Sequence, residues 1–296
     1  MGKTTQESRM EVRERHLAEA RKMTLFSNTF MSVALDDPLA CQHVLRVLTG
    51  IPDLTVKEIH SQYHISKITS HDAILDILAE DAEGKLYNIE IQRASHIDHA
   101  RRTRFYGAMI DSEYLEKGTE YYEMPDVHII YISETDLWKA GKTTYPVEKY
   151  FKGTGISYDD GMHVLYVNAE VNDGTDTAKM MKYFMTADPG DMSQGDLSKR
   201  IHFLKCEEGG NDIMCEITEK WFKEGKLEGR LEGRLEGEEK KLINLVCRKI
   251  IKGKNVNVIA DELEEEPATI EPIYHAALQC APEYDCNTIY DLLAEH

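Results

Sequence analysis

Two apolar runs around a short polar bend, Asp72–Ala79 and Lys85–Gln92 with Gly84 closing the bend, constrain this chain more than any other part of it. Both are rich in the apolar and aromatic side chains that pleated strands accept. Gly84 supplies the left-handed residue that a three-residue loop Ala82-Glu83-Gly84 requires. Such a loop fixes the register and sets Asp76 opposite Glu90. Side chains alternate faces along a strand, so Tyr87, Ile89 and Ile91 point into a core, and Asn88, Glu90 and Gln92 point the other way. On the partner strand Ile74, Asp76 and Leu78 share a face. Directly opposed residues bring their Cβ atoms to about 5 Å. Two carboxylates that close repel unless one is protonated or a divalent cation lies between them. Oxygen donors of this kind suit Mg2+ or Mn2+ better than zinc. A one-residue slip would separate the pair, and spacing alone leaves a second reading open: a solvent-facing strand with an ordinary Asp and Glu.

The chain around this hairpin reads as an α/β layer fold. Asp36-Asp37-Pro38 opens a helix, apolar Ala40, Cys41, Val44, Leu45, Val47 and Leu48 follow at helical spacing, and Gly50 stops it. Strand-like residues run from Leu54 to Ile65. A second helix is expected over Ile97–Glu116, then buried strands at Val127–Ile132 and His163–Val167. With 42% hydrophobic and 30% charged residues, a substantial core is available. No apolar run approaches the ~20 residues of a membrane-spanning helix. Six scattered cysteines without a CxxC pair suit free thiols in a reducing cytoplasm. The expected organisation is a polar arm over 1–24, the α/β domain over 25–205, a charged helical repeat over 206–240 and a small helical unit over 241–296.

Asp76, followed by Glu90-Ile91-Gln92 at the end of the next strand, resembles the PD-(D/E)XK nuclease core, with Gln92 where the superfamily usually carries Lys. The wider string through Asp81-Ala82-Glu83-Gly84-Lys85-Leu86-Tyr87-Asn88 and on through Arg102-Thr103-Arg104-Phe105-Tyr106 is similar to the recombination-promoting nuclease/transposase (Rpn) family of that superfamily. It covers about residues 25–225. The resemblance implies a restriction-endonuclease-like mixed sheet flanked by helices, and a metal-dependent DNA endonuclease tied to recombination or mobile elements. Asp76 and Glu90 would hold Mg2+ (or Mn2+), with the Ile91 carbonyl as a third ligand, and Gln92 would orient the attacking water. An amide can do that but cannot offset negative charge. Many relatives add an acid from the first core helix. Ser27-Asn28-Thr29-Phe30 lacks it, and Asp36 or Asp37 are the available substitutes. The alternative is a weak or inactive nuclease fold kept as an oligomeric binding protein.

Charge sets the main objection to a DNA partner. There are 35 Lys and Arg against 53 Asp and Glu, a formal net of -18, whereas nucleic acid rewards phosphate neutralisation. Local groups answer it: Arg102 and Tyr106 lie one helical turn apart, near Arg93, and together suit a phosphate, without strong sequence specificity. His96 and His99 have no third ligand at zinc spacing and read as exposed helix residues. The helix pair near Val258–Leu263 and Ala268–Leu278 lacks Lys or Arg on its second member, which suits packing better than base readout. The repeat Glu224-Gly225-Lys226-Leu227 through Glu236-Gly237 aligns Leu227, Leu231 and Leu235 beside a glycine stripe that costs about 1 kcal/mol per Gly relative to Ala. Self-association would stabilise it; a flexible tether is the other reading. Light scattering should give a dimer or larger for the full chain and a monomer for residues 1–222; two monomers would refute the oligomer.

Overall fold

The computed structural model describes residues 2–66, 72–93, 98–115, 118 and 120–294, with side chains described outside 2–10, 12, 220–235, 238 and 294. The chain divides into two compact units, Met1–Glu219 and Lys220–His296.

The first unit is built on one six-stranded sheet: β1 (Val56–Ile65), β2 (Ala73–Asp81), β3 (Leu86–Gln92), β4 (Val127–Ser133), β5 (Thr144–Val147) and β6 (Met162–Asn168), in the order β1-β2-β3-β4-β6-β5. β1, β2 and β3 are antiparallel neighbours, β3, β4 and β6 run parallel, and β5 closes the edge antiparallel to β6. A parallel neighbour needs a crossover. Between β3 and β4 it is the helix α4 (His99–Tyr114), which lies on one face of the sheet. The other face carries α2 (Asn28–Leu35), α3 (Pro38–Thr49), α5 (Asp176–Thr186) and α6 (Gly195–Cys206), packed behind α1 (Gly2–Lys22).

Both faces are therefore covered. One core joins Phe26, Phe30, Leu45, Ile77, Tyr87, Ile89 and Ile130, and the other joins Leu75, Leu78, Tyr106, Ile110 and Ile129. Only the first of these was legible as core in the β3 alternation. The second face buries Asn88 and Glu90 as well, and neither faces open solvent. On α4, a Cβ at Gly107 would sit 2.5 Å from the Met162 methyl, the end of a side chain that would have to shift.

α3 starts and stops where the sequence places it. The Asp37 carboxylate accepts from the Ala40 N–H at 2.9 Å, Pro38 takes the first turn, and Gly50 ends the helix with φ +72°. The helical C-terminal portion begins earlier than Cys206, because α5 and α6 occupy 176–206 and α7 (Glu208–Ile250) follows. β5, four residues long and containing Pro146, was not foreseen.

The second unit holds the remainder of α7 with α8 (Val256–Leu263), α9 (Pro267–Gln279) and α10 (Cys286–Ala294), around Ile243, Val246, Ile259, Ile270, Ala277 and Ile289. The backbone of the glycine repeat is helical, but its leucine stripe lies outside the described side chains. Among the described residues no helix is long and apolar enough to cross a membrane.

The β2–β3 turn carries its own lock. Gly84 has φ +83°, and the Asp81 carboxylate accepts from the Glu83 N–H, the Lys85 N–H and the Tyr87 hydroxyl, each at 2.9 Å. A β-branched residue at a positive φ is strained by about 1–3 kcal/mol. Gly84→Val should lower unfolding free energy by that amount in a denaturant titration, with no change in m-value.

Candidate active site

The register is the one the turn demands. β2 and β3 pair through Ile77–Ile89, Leu78–Asn88, Ala79–Tyr87 and Glu80–Leu86, so Asp76 and Glu90 fall opposite each other one step further on. There each carboxylate accepts from the backbone of the opposite strand. Glu90 Oε1 accepts from the Asp76 N–H at 3.2 Å, and Asp76 Oδ2 accepts from the Ile91 N–H at 3.0 Å. Both side chains are buried, 7% and 5% exposed.

Burial dominates their electrostatics. It pushes the Glu90 carboxyl up from 4.5 to about 8, with the charge of Asp76 adding to the rise and the Asp76 N–H, the Asn88 amide and Arg102 opposing it. Asp76 is raised too, again by burial, against the Ile91 N–H, the Gln62 amide and Arg102. The pair is thus poised to share a proton or to receive a cation.

Two amides complete the Asp76 side of the site. Asn28 Nδ2 from α2 and Gln62 Nε2 from β1 both donate to Asp76 Oδ1 at 3.4 Å. Gln62 reaches it from a left-handed backbone, φ +51°, and also donates to Ser32 Oγ at 3.0 Å. A non-glycine residue in that region is held there by its surroundings. The first core helix therefore presents Asn28, not an acid. Asp36 and Asp37 do not substitute: Asp36 accepts from the Ser61 hydroxyl at 3.2 Å, and Asp37 caps α3.

On the other side, Gln92 Oε1 accepts from Arg102 Nη1 at 3.1 Å, while Arg102 Nε donates to the Tyr106 hydroxyl at 2.7 Å. The positive charge absent from Gln92 is thus brought by Arg102, and it acts on both carboxyls. Arg93 pairs with Glu134 at 3.4 Å, and Arg101 with Asp98 at 3.4 Å. His96 lies outside the described residues; His99 Nδ1 is 2.9 Å from the Tyr131 hydroxyl. Tyr131 stands beside Glu90 in the parallel ladder. Sequence reasoning missed Gln62 and Tyr131 as site residues. Neither sits in a local motif: one depends on a strained backbone, the other on strand order.

The donor set fits one hard divalent cation. It offers two carboxylates and a polar, buried surround that includes the Asn88 amide. Among the described residues no group of three or more His, Cys, Asp or Glu side chains converges. Mg2+ is usually held by one or two carboxylates plus water and substrate.

A mixed sheet flanked by helices, with an Asp and a Glu opposed on its central antiparallel pair, defines a restriction-endonuclease-like α/β fold. The family model for the PD-(D/E)XK nuclease family transposase matches residues 45–224. The chain belongs to that family, and its function is nuclease- or transposase-related. No protein of curated function and no solved structure matches it.

Glu90's raised carboxyl gives a signed expectation for the metal-free protein. A folded-state value above the unfolded one contributes stability fully present below about pH 4.5 and lost as pH rises towards about 8. The apo melting temperature should fall across that window, and Glu90→Gln should flatten the fall. Mg2+ or Mn2+ should stabilise wild type more at the alkaline end than at the acid end. Differential scanning calorimetry with and without EDTA measures all three.

Proposed function

We propose that the chain is a metal-dependent DNA endonuclease, linked to recombination or mobile elements, in which Asp76 and Glu90 hold Mg2+ or Mn2+. The observation that carries this reading is the opposed, buried carboxylate pair. A purely structural role gives no reason to bury two acids against each other, since each is costly without a counter-charge. Ile91 is the natural third ligand. Its N–H is directed at Asp76, and the carbonyl of the same strand residue projects to the same edge. The metal, when bound, polarises the phosphoryl oxygen and acidifies water.

The chain's own residues do the rest. Arg102 is exposed at the rim and neutralises a phosphate that the net charge of -18 would otherwise repel. Its bond to Gln92 Oε1 fixes which end of that amide is an acceptor, leaving the amide nitrogen free to orient a water by donating to it. Tyr106 holds the guanidinium from the helix side. Arg93, engaged with Glu134, is left a peripheral role in DNA contact.

One observation favours a second reading, a nuclease fold retained for binding: the amide Asn28 where an acid would strengthen the metal site. Negatively supercoiled plasmid, in which underwinding exposes unpaired bases, decides between them. Wild type with Mg2+ or Mn2+ should nick it and EDTA should stop it. Asp76→Asn and Glu90→Gln should each lose at least 10³-fold, and Arg102→Ala about 10²-fold, the cost of removing one preorganised charge-stabilising donor. Absence of nicking by folded wild type, together with no metal-dependent stabilisation, would favour the binding protein.

A further inference from the structure

Glu90 belongs to a row that crosses the sheet. It pairs with Tyr131 on β4, Tyr131 pairs with Tyr166 on β6, and Tyr166 pairs with Tyr145 on β5. Beyond Tyr131, on the flank of α4 away from Arg102, the row opens into a cavity of about 570 Å3 between α4, β5 and β6. That lies within the roughly 300–1,000 Å3 of small-molecule sites.

The lining has a definite chemistry. Trp138 and Tyr166 meet edge to face with ring centroids 5.3 Å apart, and Tyr145, Val147 and Met162 extend the apolar wall. Tyr166 is fixed by Thr103 Oγ1 on α4, 2.9 Å from its hydroxyl. The charged groups lining it are Arg104 and Asp111 from α4, with Asp160 and Lys149, and the lysine is already held by Asp160 at 2.6 Å. A carboxylate such as Asp111 accepts N–H from the amino edge of a base, and a guanidinium such as Arg104 donates to a base's acceptor atoms.

Trp138 is presented, not merely left over. It is 47% exposed. The turn that carries it is wound around one side chain: Asp136 Oδ1 accepts from the N–H groups of Trp138 at 3.2 Å and Lys139 at 3.0 Å and from the Tyr145 hydroxyl at 2.7 Å, and Oδ2 accepts from the Gly141 N–H at 2.9 Å. A turn fixed this tightly, with a large aromatic at its surface, is preorganised for a planar ligand. The reach also fits. Two strand spacings separate Glu90 from Tyr166, about 10 Å, or about three stacked base steps at 3.4 Å each along one strand.

We infer that this cavity takes an unpaired, amino-bearing nucleobase of the DNA strand whose phosphate lies at Asp76 and Glu90, so that the substrate class is single-stranded, frayed or branched DNA. The inference rests on the nuclease reading above. A base inside a duplex has its amino edge paired and its faces stacked, and cannot enter.

The test uses the full chain with Glu90→Gln, so that binding is read without cleavage. Fluorescence anisotropy is followed with a labelled single-stranded 20-mer and with the blunt duplex of the same sequence, alongside tryptophan emission. The single strand should bind at least tenfold more tightly and quench Trp138. Trp138→Ala, and separately Ala108→Trp, which fills the cavity from α4, should each weaken single-strand binding by about tenfold, in the range of base–aromatic stacking, and leave duplex binding unchanged. Circular dichroism confirms that both variants fold. Equal binding of the two DNAs, or single-strand binding indifferent to both variants, would overturn the inference. If wild type nevertheless nicks duplex plasmid in a Glu90-dependent way, the nuclease reading survives alone; neither binding nor nicking would remove both.

Discussion

The β2–β3 register is the constraint on which the rest depends. Asp81 satisfies two turn amides and a tyrosine hydroxyl, Gly84 takes the left-handed step, and the ladder that follows delivers Asp76 and Glu90 to the same place on the same face. A slip by one residue would put the two acids on opposite faces. The fold does not create this opposition; it preserves what a local turn decides, and then buries it. Burial is what makes the opposition chemical, since the same two acids in open water would repel only weakly.

The acidity of the whole protein and the basicity of the site act at different ranges. A net charge of -18 spread over the surface is screened beyond about 10 Å at 0.1 M salt. Arg102, within a bond of Gln92, is not. Under the proposed nuclease reading, the superfamily's lysine and this chain's arginine bring positive charge to one place from two backbones: one on the strand, the other on the helix after it. The exchange has a cost. A guanidinium cannot trade protons at neutral pH, so Arg102 can bring charge to this site but cannot exchange a proton there.

What was legible in the sequence is what turns and periodicity decide locally. The hairpin, the α3 cap and stop, and the pairing of Arg102 with Tyr106 follow from residues a few positions apart. The double burial of the sheet was not legible, because Asn88 and Glu90 look like a wet strand face until α4 covers them. Asn28 and Gln62 come to Asp76 from 48 and 14 residues away, the second through a backbone angle that no composition announces. β5 was too short and too broken by Pro146 to signal itself. The α5 stripe of Thr177, Met180, Met181 and Phe184 was readable in principle.

The row from Asp76 to Tyr145 gives the sheet a use as a ruler. Its graduations are strand spacings, about 4.8 Å each, and its zero is the carboxylate pair. Side-chain substitution changes what is read at a graduation but not where it lies. Distances along this row are whole numbers of strands, so a contact moves along it relative to the carboxylate pair only when a strand is added, lost or reordered.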